Sequence, residues 1–312
     1  MAQVILVTGA SGFLAAHIID QLLDAGYRVR GTARSPKMMP SRKHIPRMET
    51  NLKSQLSTIS PPFASAQTTS SRSGITALIH VAATLSQDRS TEALLQRVPP
   101  PFSSLETSGK ISPWTRLVGW NPRTREDALQ PNADRFTVFA VAKKLTEQEV
   151  WAFAREHPDI DVVVILCSWI LGPHSPHHID AASSMKNGTN RYFYRQINGF
   201  EGRPFSELAK SLSYMFPAFV HVSDAARAHV LVLKAMPSLG PKRVILNSGY
   251  MLLKVSMKHT VQTRPKLRSR LPDMSSAPKD PEMYVKFDVG SADRILGMKT
   301  FKTWQETVKE TG

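Results

Sequence analysis

The residues that most constrain this 312-residue chain stand at its start. Val4-Ile5-Leu6-Val7 is a short apolar run rich in β-branched residues, and Thr8-Gly9-Ala10-Ser11-Gly12-Phe13-Leu14-Ala15-Ala16 follows without a break. Residues 4–7 predict a parallel strand buried on both faces. Gly9 permits a tight turn at positive φ. Gly12 lets the backbone approach a pyrophosphate, and Ala15 keeps a small residue where helix and strand pack closest. Leu14, Ile18 and Leu22, with Ile19 and Leu23, then form an apolar stripe at spacing four, and Gly26 supplies the stop. A second strand is predicted over residues 27–32. Strand, glycine turn, helix and strand in that order make the entry unit of a dinucleotide-binding domain. The phosphates would sit at the amino end of the helix, held by free N–H groups and the helix dipole. Thr8, Gly9, Ser11, Gly12, Phe13 and Leu14 are the binding candidates of this turn.

The second strand bears on which nucleotide. An acid about 20 residues past the glycines would hold the ribose 2′-hydroxyl of NAD(H). Here the strand end reads Val29-Arg30-Gly31-Thr32-Ala33-Arg34-Ser35-Pro36-Lys37, with three cations and no carboxylate. The planar fork of arginine suits a 2′-phosphate. NADP(H) is therefore expected rather than NAD(H), with Arg34 and Lys37 as its ligands. The competing reading of these residues is a solvated basic loop.

Beyond this unit, residues 75–84, 134–153, 162–173, 217–233 and 288–308 extend the same pattern along the chain. With residues 7–35 they resemble the extended short-chain dehydrogenase/reductases of the NAD-dependent epimerase/dehydratase superfamily. Within it they are most similar to the dihydroflavonol, cinnamoyl-CoA and fungal methylglyoxal or ketone reductases. The resemblance covers about half of the chain. It implies an α/β fold, with a doubly wound parallel (Rossmann) sheet over residues 1–175. It also implies a smaller, mainly substrate-binding part over 176–312, some segments of which return to the sheet. His80, Ala82 and Ala83 are cofactor contacts by resemblance, as is Ser168 in the turn Cys167-Ser168-Trp169. A strand-end histidine with a satisfied ring is the plainer reading of His80.

The family's chemistry uses a tyrosine and a lysine four apart on one helix face. In Asp134-Arg135-Phe136-Thr137-Val138-Phe139-Ala140-Val141-Ala142-Lys143 the lysine is Lys143, and Phe139 stands at the tyrosine position. A phenyl ring packs alike but carries no proton. Tyr250 and Lys254 share the spacing but fall where the family has no catalytic helix. Tyr192 and Tyr194 lie in the expected substrate region. The family's substrate-binding serine pair is matched only weakly, by Ser104 with Ser103 and Ser108. Pro99, Pro100 and Pro101 cannot sit in the central strand that should deliver them. Residues 54–73 likewise lose all periodicity, and both stretches are expected to be loops. The two function classes left are an NADP(H)-dependent oxidoreductase acting on a ketone, an aldehyde or the matching alcohol, weakened by Phe139, and a non-catalytic NADP(H)-binding protein.

Composition narrows the rest. The net charge of +15 invites a nucleic-acid reading, but the cations are scattered and not interleaved with aromatics, so no nucleic-acid partner is expected. No signal peptide or membrane span is expected. One cysteine, Cys167, forms no internal disulfide, and a cytoplasmic protein follows. The expected partner is a small-molecule carbonyl substrate. His174, His177, His178 and Asp180 lack a fixed ligand spacing, and no metal is expected. There is no G-x-S-x-G nucleophile elbow. Val222-Ser223-Asp224 predicts a helix start capped by Ser223 or Asp224.

Overall fold

The computed structural model describes residues 3–32, 74–81, 120–176, 188–197, 218–237, 240–273, 275 and 287–311. Strand β1 (Val4–Thr8) lies between β2 (Arg28–Thr32) and β3 (Ile75–His80), parallel to both. Helix α1 (Phe13–Asp24) connects β1 to β2. Ile5, Val7, Val29 and Ile79 of the sheet meet Ala15, Ile18, Ile19 and Leu22 of the helix in one core cluster. Each such large side chain withdrawn from water stabilises the fold by roughly 1.5–3 kcal/mol. Leu14 and Leu23, the ends of the apolar stripe, pack at its margin.

The apolar run over residues 77–83 reads, as sequence, as a buried strand. Instead β3 ends at His80 and alternates, with Ile79 buried and Thr76, Leu78 and His80 exposed. Alternation of this kind belongs to a sheet with one wet face. Ala82 and Ala83 lie outside the described residues.

Further along come α2 (Arg125–Leu129) and α3 (Arg135–Glu156). Strands β4 (Val163–Cys167) and β5 (Trp169–Leu171) follow, then α4 (Asn190–Ile197), β6 (Ala218–His221) and α5 (Val222–Val232). The chain ends with β7 (Lys242–Leu246), β8 (Gly249–Tyr250), α6 (Leu253–Thr263), a 3-10 helix (Pro265–Arg270), α7 (Gly290–Leu296) and α8 (Trp304–Thr311). β4 pairs parallel with β7 and β5 parallel with β6; β8 adds antiparallel to β6. Parallel sheets flanked by helices are the α/β architecture expected. Ala226 of α5 is buried in the same cluster as β1 and α1, so the C-terminal third is packed into the first unit.

The start of α5 shows how that joint is made. The sequence placed the cap at Ser223 or Asp224; the cap is His221, whose Nδ1 accepts from the Ser223 backbone N–H at 3.1 Å. Asp224 falls inside the first turn and is buried. It accepts from the Lys302 backbone N–H at 2.7 Å and from Arg227 at 2.9 Å, and Arg227 also donates to the Thr300 carbonyl. The imidazole of His221 is 1% exposed, and its Nε2 lies 3.2 Å from the Glu310 carboxylate.

His221 titrates far below its ordinary range. Burial lowers its pKa to about 4, helped by Lys302 and His17 and opposed by Glu310 and Asp224. An unfolded imidazole titrates near ~6.5. The depressed folded value means that the unfolded chain takes up the proton first. The stabilising contribution is therefore whole above ~pH 6.5 and is lost as pH falls toward the folded value. The native chain is expected to lose thermal stability across that window. His221→Asn keeps a capping acceptor without titrating and is expected to flatten the loss. Equal slopes for both proteins in pH-resolved thermal denaturation would refute the assignment.

Candidate active site

The turn between β1 and α1 has the geometry of an anion cradle. Gly9 has φ +69°, and its carbonyl accepts from the Gly12 N–H at 2.8 Å. A Cβ on Gly12 would meet that carbonyl oxygen at 3.0 Å, so a side chain there crowds the turn. No side chain caps the amino end of α1 and no acid occupies its first turn. The first-turn N–H groups point out of the amino end of the helix. Donors, dipole and close backbone approach together suit a phosphate.

Parallel pairing delivers the next residues to the same end of the sheet. The register sets Thr8 opposite Thr32 on one side and His80 on the other. All three stand at carboxyl ends of strands, where open α/β sheets bind ligands. Thr8 Oγ1 and His80 Nδ1 are hydrogen-bonded at 2.8 Å as a direct consequence of that register. His80 meets solvent, yet burial by the surrounding protein lowers its pKa, and the Lys143 charge lowers it further.

Lys143 reaches this region from α3. Asp134 accepts from the Thr137 backbone N–H at 3.0 Å and so fixes where the helix begins. Val138 and Val141 then face a small core with Ala128. Lys144 donates to the carbonyls of Asn121 and Arg123. Glu147, 8% exposed, binds Arg243 through Nε at 2.7 Å and Nη2 at 3.1 Å, while the Trp120 ring covers that guanidinium. This clamping leaves the other face of α3 outward, with Phe139 42% exposed and Lys143 one turn on. The Lys143 ammonium sits 5.6 Å from the Phe139 ring centroid. Lys143 also meets solvent although burial lowers its pKa. His80 and Lys143 thus both meet solvent at the carboxyl end of the sheet, close enough for the Lys143 charge to act on the imidazole.

Sequence reasoning missed the second face of α1. His17 Nε2 lies 2.9 Å from the Pro173 carbonyl, Ser175 Oγ donates to Asp20 at 2.6 Å, and Phe13 packs edge-on against His174. The chain after β5 is thereby laid across the start of α1. Gly172, at φ +145°, makes that path, since a Cβ there would strike Val222 at 2.7 Å. Asn190, 2% exposed, closes the loop by donating to the Gly172 carbonyl and accepting from its N–H. The available signal was the pair His17 and Asp20, polar residues at helical spacing opposite the apolar stripe.

Other sequence-predicted residues are placed differently. Ser168 is hydrogen-bonded to Asn247 at 3.1 Å, and the amide nitrogen of Asn247 also donates to the Gly249 and Phe219 carbonyls. Burial pushes the Cys167 thiol up to about 12, and it packs beside a core cluster, chemically quiet. Tyr250 is in β8 and Lys254 in α6, so they do not share a helix face. The Tyr194 hydroxyl donates to the Thr311 carbonyl at 3.1 Å. Arg30 sits within β2, opposite Leu6. Arg34, Lys37, Ala82, Ala83, Ser103, Ser104, Ser108, His177, His178 and Asp180 lie outside the described residues, as does the side chain of Tyr192. Among the described residues no group of three or more His, Cys, Asp or Glu could hold a metal, and no helix is long and apolar enough to cross a membrane.

Comparison with known proteins agrees with this geometry. The sequence profile described as "NAD dependent epimerase/dehydratase family" matches residues 5–96 and 115–249. Tetraketide alpha-pyrone reductase 1 of Arabidopsis thaliana is 26% identical over 97% of this chain and 92% of its own length. The NADPH-dependent methylglyoxal reductase of Saccharomyces cerevisiae is 21% identical over 98% and 96%. The crystal structure of a yeast methylglyoxal/isovaleraldehyde reductase complexed with NADPH superimposes with a TM-score of 0.73 at 18% identity, covering 99% of this chain and 97% of that one.

The loop across α1 gives a direct test. Asn190→Ala leaves the Gly172 N–H and carbonyl buried without partners. It is expected to cost about 2 kcal/mol or more in urea unfolding. A change within about 0.5 kcal/mol, the range of ordinary surface substitutions, would contradict the assignment.

Proposed function

Because this chain belongs to the NAD dependent epimerase/dehydratase family, we propose that it binds NADP(H) and acts as an oxidoreductase on a small ketone or aldehyde, or on the matching alcohol. The observation that carries the reading is the amino end of α1, with no side-chain cap, set against a turn in which a Cβ at position 12 would crowd the Gly9 carbonyl. Thr8, Gly9, Ser11, Gly12, Phe13 and Leu14 would hold the pyrophosphate and its neighbours. Arg34 and Lys37 are assigned to the 2′-phosphate, because residues 29–37 carry no carboxylate to prefer a free ribose. The similar yeast protein is itself named NADPH-dependent, and the yeast structure holds NADPH. His80, Ala82, Ala83, Ser168 and Lys143 are assigned to the nicotinamide half, and Ser104 to the carbonyl. Residues 1–175 are the proposed cofactor domain and 176–312 mainly the substrate part. The proposed compartment is the cytoplasm.

Phe139 limits the chemistry. Loss of a positioned general acid costs about 10²- to 10⁴-fold in rate. The same substitution supports a second reading, in which the chain holds NADP(H) without turnover.

Three measurements divide these readings. In thermal-shift titration NADPH is expected to stabilise the chain more than NADH, and Arg34→Ala to remove the difference; equal responses in the native chain would end the NADP(H) assignment. Gly12→Val is expected to weaken NADPH binding by tenfold or more (~1.4 kcal/mol); unchanged affinity would empty the proposed cradle. Phe139→Tyr is expected to raise kcat for carbonyl reduction by ~10²-fold or more. Tight NADPH binding without turnover in both proteins would favour the non-catalytic reading.

A further inference from the structure

We infer that Lys143 is itself the proton donor of this site: with Phe139 in the place of a phenol, its ammonium is the group on this wall able to protonate a carbonyl oxygen. The inference rests on the reductase reading above.

Among the described residues the neighbours decide it by elimination. Phe139, one turn before Lys143 on the same face, offers no exchangeable proton, and its ring lies 5.6 Å from the ammonium. The Thr8 hydroxyl is bonded to His80, and the Ser168 hydroxyl to Asn247. Aliphatic hydroxyls are in any case far too weak as acids at neutral pH. His80 is held in its neutral form by burial and by the Lys143 charge, and a neutral imidazole is likewise a poor acid. Lys143 differs from all of these. Its ammonium carries exchangeable protons, and desolvation brings it closer to working pH than a free lysine. General-acid efficiency rises as the donor's pKa approaches the operating pH.

The charged groups around it do not cancel the effect. Lys144 turns away to the Asn121 and Arg123 carbonyls, and Glu147 is held by Arg243 and by Trp151 Nε1 at 3.1 Å. His80 on β3 is the titratable group that feels Lys143 across the cleft. Burial alone accounts for the lowered Lys143 value.

The step balances. NADPH, when bound, supplies the hydride to the carbonyl carbon. At the oxygen an N–H bond of Lys143 breaks as the O–H bond forms. Lys143 is left as the neutral amine and takes a proton back from water, which reaches it because its side chain meets solvent.

Three readouts test this on the full-length protein. Competitive acetylation by acetic anhydride, followed by peptide mass spectrometry, reads the Lys143 titration without any turnover. Its midpoint is expected at lower pH than that of exposed lysines such as Lys258 and Lys266. Second, kcat of the native chain is expected to fall as pH rises through that same midpoint. Third, Lys143→Arg keeps the charge but holds its proton too tightly. It should lose about 10²-fold in kcat. Fluorescence titration with NADPH separates this loss in kcat from any loss of cofactor affinity. An ordinary acetylation midpoint, or Lys143→Arg turning over within about twofold of native, a difference of only ~0.4 kcal/mol in barrier, overturns the inference. Tight NADPH binding with no native turnover at any pH overturns it too, while leaving the cofactor assignment intact. Absence of NADPH binding would instead defeat the reading on which it rests.

Discussion

Helix α1 is gripped along two faces, and both the fold and the candidate site depend on that grip. Ala15, Ile18, Ile19 and Leu22 fasten one face to β1, β2 and β3. His17, Asp20 and Gln21 fasten the other, to the Pro173 carbonyl, to Ser175 and to the Ser223 carbonyl. Apolar burial gives the first face its strength, and hydrogen bonds give the second its register. Between them they fix the axis of the helix, and hence where its unsatisfied N–H groups point. A cradle for phosphate needs that fixity, because a fraying first turn would scatter both the donors and the dipole. Small residues are needed for the same reason: Gly12 touches the Gly9 carbonyl, and bulk there would open the turn.

The cleft wall illustrates a different kind of constraint. Thr8 and His80 meet because two parallel strands pair in one register, and a slip by one residue would turn one of them to the other face. Lys143 comes from a separate element whose start is set by Asp134 and whose rotation is set by Lys144 and the Glu147–Arg243 pair. Two cation-forming side chains brought together in a desolvated setting cannot both carry charge cheaply. Lysine, the stronger base, keeps the proton at neutral pH and histidine gives it up. The electrostatics of the wall thus follow from backbone register plus one helix rotation.

How much of this was legible in the sequence depends on how local each signal is. The β1–α1–β2 unit could be read almost residue by residue, since strand, turn and stripe are all encoded within about thirty positions of chain. Phe139 and Lys143 were found through the family resemblance, and α3 does present them on one face. The cap of α5 was misplaced because histidine is an uncommon cap; His221 is held by a tertiary neighbour, Glu310, that lies far along the chain. The open face of β3 was missed because a short apolar run does not say whether both of its sides are covered. Polar anchors such as Asn190 and His17 have partners 18 and 156 residues away, beyond the reach of any periodicity.

Phe139 is best understood through what surrounds it. The frame that aims its helix is intact, from the Asp134 cap to the guanidinium stacked under Trp120. Inside that frame an aromatic ring is left 42% exposed, which contributes little packing to the folded chain. Its apolar surface becomes useful only when something covers it. A ligand lying on the ring would remove that surface from water at roughly 25 cal/mol per Å². Such a wall trades hydrogen-bonding chemistry for affinity toward apolar ligands, with the Lys143 ammonium beside it. Under that trade, binding and turnover respond in opposite directions when the hydroxyl is restored: a tyrosine would add a proton donor and polarity to the same few ångströms of wall.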